Sequence, residues 1–405
     1  MSLLRLGLAL LATASQVSAT IWQNQQVRPT DYPDTTIASV AGKPGWKTYP
    51  PSASELSYKG RWDAKHISWW SAPGLKFGFQ ANEVAISFGN YTSEGVLVAY
   101  RLDGQDWMLT NVTANTTHLF VTPTTTGYNL TTPVGATQTL ELRVTNWAYG
   151  VQIAGVHVSG GNAKLVKIPN YTRTMELIGD SLSAGQYATL EGISSYSWGL
   201  MYGLGNVEFS ITAYPGICLH DSNCLVQNSR HVLPRAADIR RQSPDWDFQA
   251  HPAADITVIN LGTNDNNTHN NVTNQEFYNS YIELISGIHK VWPNTQIIVL
   301  SLWNGFSQVG NTWEQGGAFV TEIEEVVNYF RPIKYGEQPF VHYFNTTGIL
   351  QHNDIGPLYH PTDVGHIKVA SHLMQYIKLT FGWIFQQTGP EVQHDTLYWN
   401  DQPNY

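Results

Sequence analysis

The hydrophobic pattern of this 405-residue chain changes period once, near residue 170, and that change limits the fold more than any other feature. Upstream, residues 20–82 are irregular and rich in Pro, Ser and Trp with short extended pieces, and from there apolar residues recur at every second position. Val84, Ile86 and Phe88 share one face of a strand, Leu140, Leu142 and Val144 share another, and Val151, Ile153, Val156 and Val158 suggest one more. Asp103-Gly104 stands between the strand-like runs 97–102 and 107–109, a hairpin signal. Nothing before Val166 has helical spacing. Residues 20–168 are therefore expected to form an all-β sandwich of jelly-roll type, with 164–174, which includes Pro169, as the linker to a second domain at 174–386.

Downstream the periods alternate. Strands are expected at 176–178, 207–211, 256–261, 297–302 and 340–344, and helices at 274–290, 318–330 and from 365 to about 385. The first of these helices places Phe277, Tyr281, Leu284, Ile285 and Ile288 on one face, with Thr273 and Glu276 as a capping box and Pro293 past its end. Phe319, Ile323, Val326, Val327 and Phe330 face inward on the second. Strands separated by helices call for a parallel sheet with right-handed crossovers, whose ligands bind outside the carboxyl ends of the strands. Ser181, Gly216, Asn264, Trp303 and the loop before His360 each follow an expected strand, so all five should gather at one edge.

Residues 174–187 read TMELIGDSLSAGQY, a short apolar strand stopped by Gly179-Asp180-Ser181. A serine between a strand and a helix N-terminus is either a helix cap or a nucleophile, the latter because free amides beside its hydroxyl can receive the charge formed when it attacks a carbonyl. Gly179-Asp180-Ser181-Leu182, then Gly216, Gly262-Thr263-Asn264-Asp265, and His360-Pro361 with Gly365-His366 resemble, in order, the sequence blocks of the SGNH (GDSL) hydrolases over residues 176–370. The resemblance implies a flavodoxin-like, three-layer α/β domain. It implies Ser181 as nucleophile, His360 as base, and an oxyanion hole made of the Ser181 and Gly216 amides and the Asn264 carboxamide. Asp180 and Asp265 are read as holding loops.

The third catalytic member departs from that pattern, because Pro357 stands three residues before His360 where the family has aspartate. Asp354, further upstream, is the chosen candidate. Asp363, which satisfies Asp-x-x-His with His366, and a Ser-His dyad oriented by a backbone carbonyl or an aromatic are the alternatives. Tyr58-Lys59-Gly60-Arg61 and the order of sandwich then GDS also resemble carbohydrate esterase family 2, in which a small jelly roll precedes the hydrolase domain. Trp303 and Tyr214 are read as walls of an acyl or sugar pocket, or equally as core, and Trp69-Trp70 as a sugar platform or core.

Arg5 before the apolar run 6–12, and the small residues 17–19, read as a signal peptide at 1–19 and so as a secreted protein. Sequons at Asn90, Asn111, Asn115, Asn129, Asn170, Asn266, Asn271 and Asn345 suggest a glycoprotein. Cys218 and Cys224 are expected to pair, bracing the Gly216 loop; with only His220 nearby they do not suggest a metal site, and no cofactor is expected. A net charge of −9 without a basic patch points away from nucleic acid and anionic membranes, and no segment after the leader is apolar for long enough to span a bilayer. The expectation is a monomeric, secreted serine esterase that removes small acyl groups, acetyl above all, from polysaccharides such as xylan or mannan. A lipase or aryl-ester hydrolase, or an inactive carbohydrate-binding protein on the same scaffold, are the alternatives.

Overall fold

The computed structural model describes residues 20–23, 26–29, 32–125, 127–128, 136–220, 245–332 and 338–386. The expected signal peptide at 1–19, Asn129, Cys224 and the tail at 387–405 lie outside these residues. The first domain is a β-sandwich. One antiparallel sheet runs in the order Met108–Val112, Val96–Leu102, Gln138–Val144, Gly74–Gln80, Lys164–Val166, with Ser57–Lys59 also paired to Gly74–Gln80. The other runs Thr36–Ile37, Thr117–Val121, Glu83–Phe88, Val151–Ser159, Trp46–Tyr49, with Ile67–Ser68 on the longest strand. The alternating residues meet between the sheets: Val84, Ile86 and Phe88 from one, Leu140, Leu142 and Val144 from the other. The one-residue slip between Ile153 and Val156 is a β-bulge, since the register shifts between Ile153 and Gly155 and returns Val156 and Val158 to the core. Asp103 and Gly104 both have left-handed φ, the requirement of a type I′ turn.

In the second domain five parallel strands, β1 (Arg173–Gly179), β2 (Val207–Ala213), β3 (Ile256–Asn260), β4 (Gln296–Leu300) and β5 (Val341–Phe344), lie in the order β2-β1-β3-β4-β5. This is the flavodoxin-like order, with its switch point between β1 and β3. Both sheet faces are covered. Met175, Leu177, Val258 and Leu300 pack towards α2 (Tyr196–Leu204) and α5 (Asp363–Phe381), while Ile178, Ile259 and Val299 pack towards α3 (Asn274–Val291) and α4 (Val320–Tyr329). Coverage on both sides is why these strands read as continuous apolar runs. The expected capping box of Thr273 and Glu276 opens α3.

Two elements were not foreseen. Helix α2 contains Gly199 and Gly203, poor helix formers, yet a Cβ at these positions would lie 3.2 Å from Ala370 Cβ and 2.4 Å from Met374 Sδ. The glycines let α2 lie close against α5. Between β4 and α4 the chain makes an antiparallel hairpin, Leu302–Val309 with Thr312–Ala318, turning at Gly310-Asn311.

The outer face of the first sandwich sheet is not solvated. It lies against the second domain, so Val96–Leu102 is buried at every position. Arg101 binds Glu141 (2.6 and 3.1 Å) and donates to Tyr202 Oη (2.7 Å), and Arg143 reaches Glu141 (3.2 Å) while lying over Trp198 and Phe209. Burial opposes ionisation of Glu141, but Arg143 and Arg101 outweigh it and hold its pKa at about 2. Lys59–Glu208 (2.6 Å) and Arg61–Glu176 (2.9 Å) extend the charged seam.

Candidate active site

The nucleophile candidate stands where β1 ends. Asp180, rather than Ser181, caps the short helix α1 (Ser181–Ala184), accepting from Leu182 N at 3.0 Å. The Ser181 hydroxyl is therefore free of capping duty, and the Ser181 amide lies at the open end of the helix. The turn is held rigidly from below. Ser183 Oγ and Tyr196 Oη are 2.6 Å apart, Asn260 Nδ2 donates to Tyr196 Oη (3.1 Å), Ser197 Oγ donates to Ser183 O (2.7 Å), and Ser71 Oγ of the sandwich donates to Ala184 O (3.1 Å). The sandwich also supplies Asn146 Nδ2 and Trp147 N, which donate to Glu191 Oε2 (3.2 and 3.1 Å).

Gly216 and Asn264 form one unit. Tyr214 N donates to Gly179 O (3.2 Å), which sets the next turn beside β1, and Ile217 N donates back to Tyr214 O (3.4 Å). Pro215 followed by Gly216 at φ +83° is the combination a type II turn demands, so only glycine fits there without strain. Asn264 Nδ2 donates to Ile217 O (2.8 Å) and retains a second N–H. Both Asp265 carboxylate oxygens accept from this loop, from Leu219 N and His220 N at 2.8 Å each. Asp265 thus acts as a brace for the loop, as expected. Cys218 is buried in the same loop; its expected partner, Cys224, lies outside the described residues.

His360 comes to the same edge on the loop after β5. The chain beyond the nucleophile turn folds onto it: the Tyr187 ring packs edge-on at 4.9 Å, and Thr189 N donates to Asp363 Oδ1 (2.8 Å). Ser181 and His360 are 6 % and 8 % exposed. His360 Nδ1 is 2.8 Å from Leu358 O, which fixes the proton on Nδ1, and Nε2 has no hydrogen-bond partner among the described residues. Burial lowers the pKa of the ring, with the Leu358 and Pro357 bonds opposing, so the imidazole is neutral at neutral pH and can accept a proton at Nε2.

The choice of Asp354 as orienting carboxylate is corrected here. Its Oδ2 binds Lys368 Nζ (2.6 Å) and accepts from Gln351 N (2.8 Å), while the Nδ1 position on His360 is taken by the Leu358 carbonyl. Pro357 begins a turn in which Leu358 (φ 52°) and Tyr359 (φ 66°) are both left-handed, and that twist carries the carbonyl under the ring. Asp363 is bound to Thr189. His366 accepts from Tyr196 N at Nδ1 (3.1 Å), stacks on the Tyr196 ring, and has its pKa pushed down to about 3 by burial, with Asp363 opposing and His360 reinforcing. It is a neutral structural group.

Tyr214 and Trp303 are 4 % and 2 % exposed and belong to the two cores flanking the sheet. Both pack in the core, one of the two readings their sequence positions allow, and Trp69 and Trp70 are buried likewise. The exposed aromatics lie elsewhere. Trp313, 48 % exposed, stacks on His352 at 4.0 Å on the hairpin, and Tyr359 lies against the backbone of Gly305. The Gly310-Asn311 pair between β-forming residues was the signal available for this hairpin.

Residues 177–367 match the GDSL-like Lipase/Acylhydrolase family. No curated protein matches the chain. Among solved structures, a family two carbohydrate esterase from Clostridium thermocellum in complex with cellohexaose is similar at 22 % identity, with a TM-score of 0.65 over 81 % of this chain and 100 % of that one. A carbohydrate esterase family 2 enzyme plus carbohydrate-binding domain from Corynascus thermopiles (Myceliophthora fergusii) is 20 % identical, with a TM-score of 0.63 over 81 % and 100 %. An acetyl xylan esterase from Butyrivibrio proteoclasticus is 16 % identical, with a TM-score of 0.63 over 84 % and 100 %. At these identities the likeness is one of fold, and it extends across both domains.

Proposed function

We propose that this chain, whose residues 177–367 match the GDSL-like lipase/acylhydrolase family, is an exported serine esterase that removes small O-acyl groups, acetyl above all, from polysaccharides such as xylan or mannan. Ser181 Oγ attacks the acyl carbonyl and passes its proton to His360 Nε2. The Ser181 and Gly216 amides and the second Asn264 N–H receive the oxyanion. His360 then protonates the departing sugar hydroxyl, and water, deprotonated by the same ring, releases the acid from the acyl-enzyme.

The Leu358 carbonyl orients and polarises the imidazole in place of a carboxylate, making the site a Ser-His dyad. One observation carries this reading: a buried, neutral histidine with Nδ1 tied to a backbone carbonyl and Nε2 without a partner among the described residues, on the loop that packs against the nucleophile turn. Trp313, with Tyr359 nearby, offers flat apolar faces at the rim, which suit the faces of sugar rings. We read the leader, the sequons and a Cys218–Cys224 disulfide as marks of export.

Acetate release from acetylated xylan and glucomannan, with p-nitrophenyl acetate alongside and Ser181→Ala as control, tests the proposal. Turnover of the acetylated glycans by the wild type alone is expected. Wild-type activity no greater than that of the variant would reject an esterase, and activity on the aryl ester alone would reject the glycan.

A further inference from the structure

A second concavity lies far from Ser181, at the amino ends of β1 and β2, and opens between the two domains. It encloses 150 Å³, about the size at which a cavity admits one six-membered ring. Its lining is of mixed character. Trp246 and His251 stack at 3.8 Å with His251 the more exposed, and Tyr58 from the sandwich and Glu176 and Glu208, which hold Arg61 and Lys59, complete the lining. Trp292 also lines it and carries a buried indole N–H without a partner among the described residues. Flat apolar rings combined with unsatisfied donors and with acceptors are what a pyranose requires, since it has one apolar face and a belt of hydroxyls.

The chain brings a candidate attachment point to this cavity. Asn170, in the sequon Asn170-Tyr171-Thr172, is exposed and forms part of the lining. Its Oδ1 accepts from Ser57 Oγ (2.9 Å) and Lys59 Nζ (3.5 Å), which fixes the carboxamide and leaves Nδ2, the atom that is glycosylated, as its other arm. The sequon at Asn111 differs, because there Nδ2 donates to Gly95 O (2.8 Å).

We propose that the cavity seats the first pyranose of an N-linked glycan on Asn170, held between the sandwich and the hydrolase domain. The inference rests on export through a glycosylating compartment, as read above. Attachment forms the bond from Nδ2 to the anomeric carbon; the sugar comes from a lipid-linked diphosphate donor, which departs as the lipid diphosphate while the amide loses one proton.

Peptide mapping of the exported protein is expected to find Asn170 occupied. Asn170→Asp, which keeps an acceptor for Ser57, should lower Tm by about 2 °C or more. Enzymatic trimming to a single sugar should leave Tm unchanged. His251→Ala should lower Tm in the glycosylated protein and do little in the Asn170→Asp background, the non-additivity that marks a direct contact. A bare Asn170 alongside other occupied sequons overturns the inference alone, as do additive Tm losses. A protein with no occupied sequon overturns the export reading with it. A bare Asn170 combined with tryptophan quenching by free N-acetylglucosamine makes the cavity a site for free sugar and overturns the Asn170 assignment.

Discussion

The orientation of His360 depends on two residues whose φ angles, 52° at Leu358 and 66° at Tyr359, are unfavourable for side-chain-bearing residues. Such strain persists where the surroundings enforce it, and here it delivers a carbonyl oxygen to Nδ1. Asp354→Asn is therefore expected to keep kcat on p-nitrophenyl acetate within about tenfold of wild type, whereas losing a true triad aspartate costs about 10⁴; a loss of that larger size would restore Asp354 to the triad. The pH profile follows from the ring's environment. Since burial lowers the His360 pKa and the base must be neutral, the acid limb of kcat/KM should fall below the usual 6.5, and a limb above it would contradict the buried, carbonyl-bound ring. The sequence showed where Ser181, Gly216 and Asn264 sit, because each follows a strand in a short, distinctive block. It did not show what touches His360 Nδ1, because a carbonyl delivered by two left-handed residues leaves no residue-type signature.

Among the elements, those with a clean period were readable and those shaped by contact were not. Helix α3 declared itself through its capping box and apolar stripe, whereas α2 is apolar nearly all round and contains two glycines that make sense only once α5 lies across them. The strands of the hairpin after β4 carry exposed polar residues, so no apolar alternation marks them despite the turn at Gly310-Asn311. That hairpin separates two kinds of substrate contact. Trp313→Ala is expected to reduce kcat/KM on acetylated oligosaccharides by about tenfold, the equivalent of one lost stacking contact, while leaving p-nitrophenyl acetate turnover unchanged. Equal losses on both substrates would place Trp313 in the scaffold.

At the scale of the whole molecule, the polar residues that alternate with apolar ones in Gln138–Val144, with Arg101 on the neighbouring strand, look like a solvated face, yet Arg101, Glu141 and Arg143 are sealed beneath the second domain. Periodicity reveals that a face is polar and says nothing of what lies over it. Removing one member leaves the others uncompensated, so Glu141→Gln should cost about 3 kcal/mol in denaturant unfolding. The wild-type contribution should be complete above the ordinary carboxylate pKa of 4.5 and fade as pH falls towards about 2, because the folded state holds that pKa down. A near-zero cost would mean that the seam is wet. The same seam bears on modular ancestry. A sandwich whose covered face carries an Arg-Glu-Arg cluster matched to Tyr202, Trp198 and Phe209 cannot be grafted onto an unrelated catalytic unit, so chimeras made by exchanging either half should misassemble unless both sides of the junction travel together.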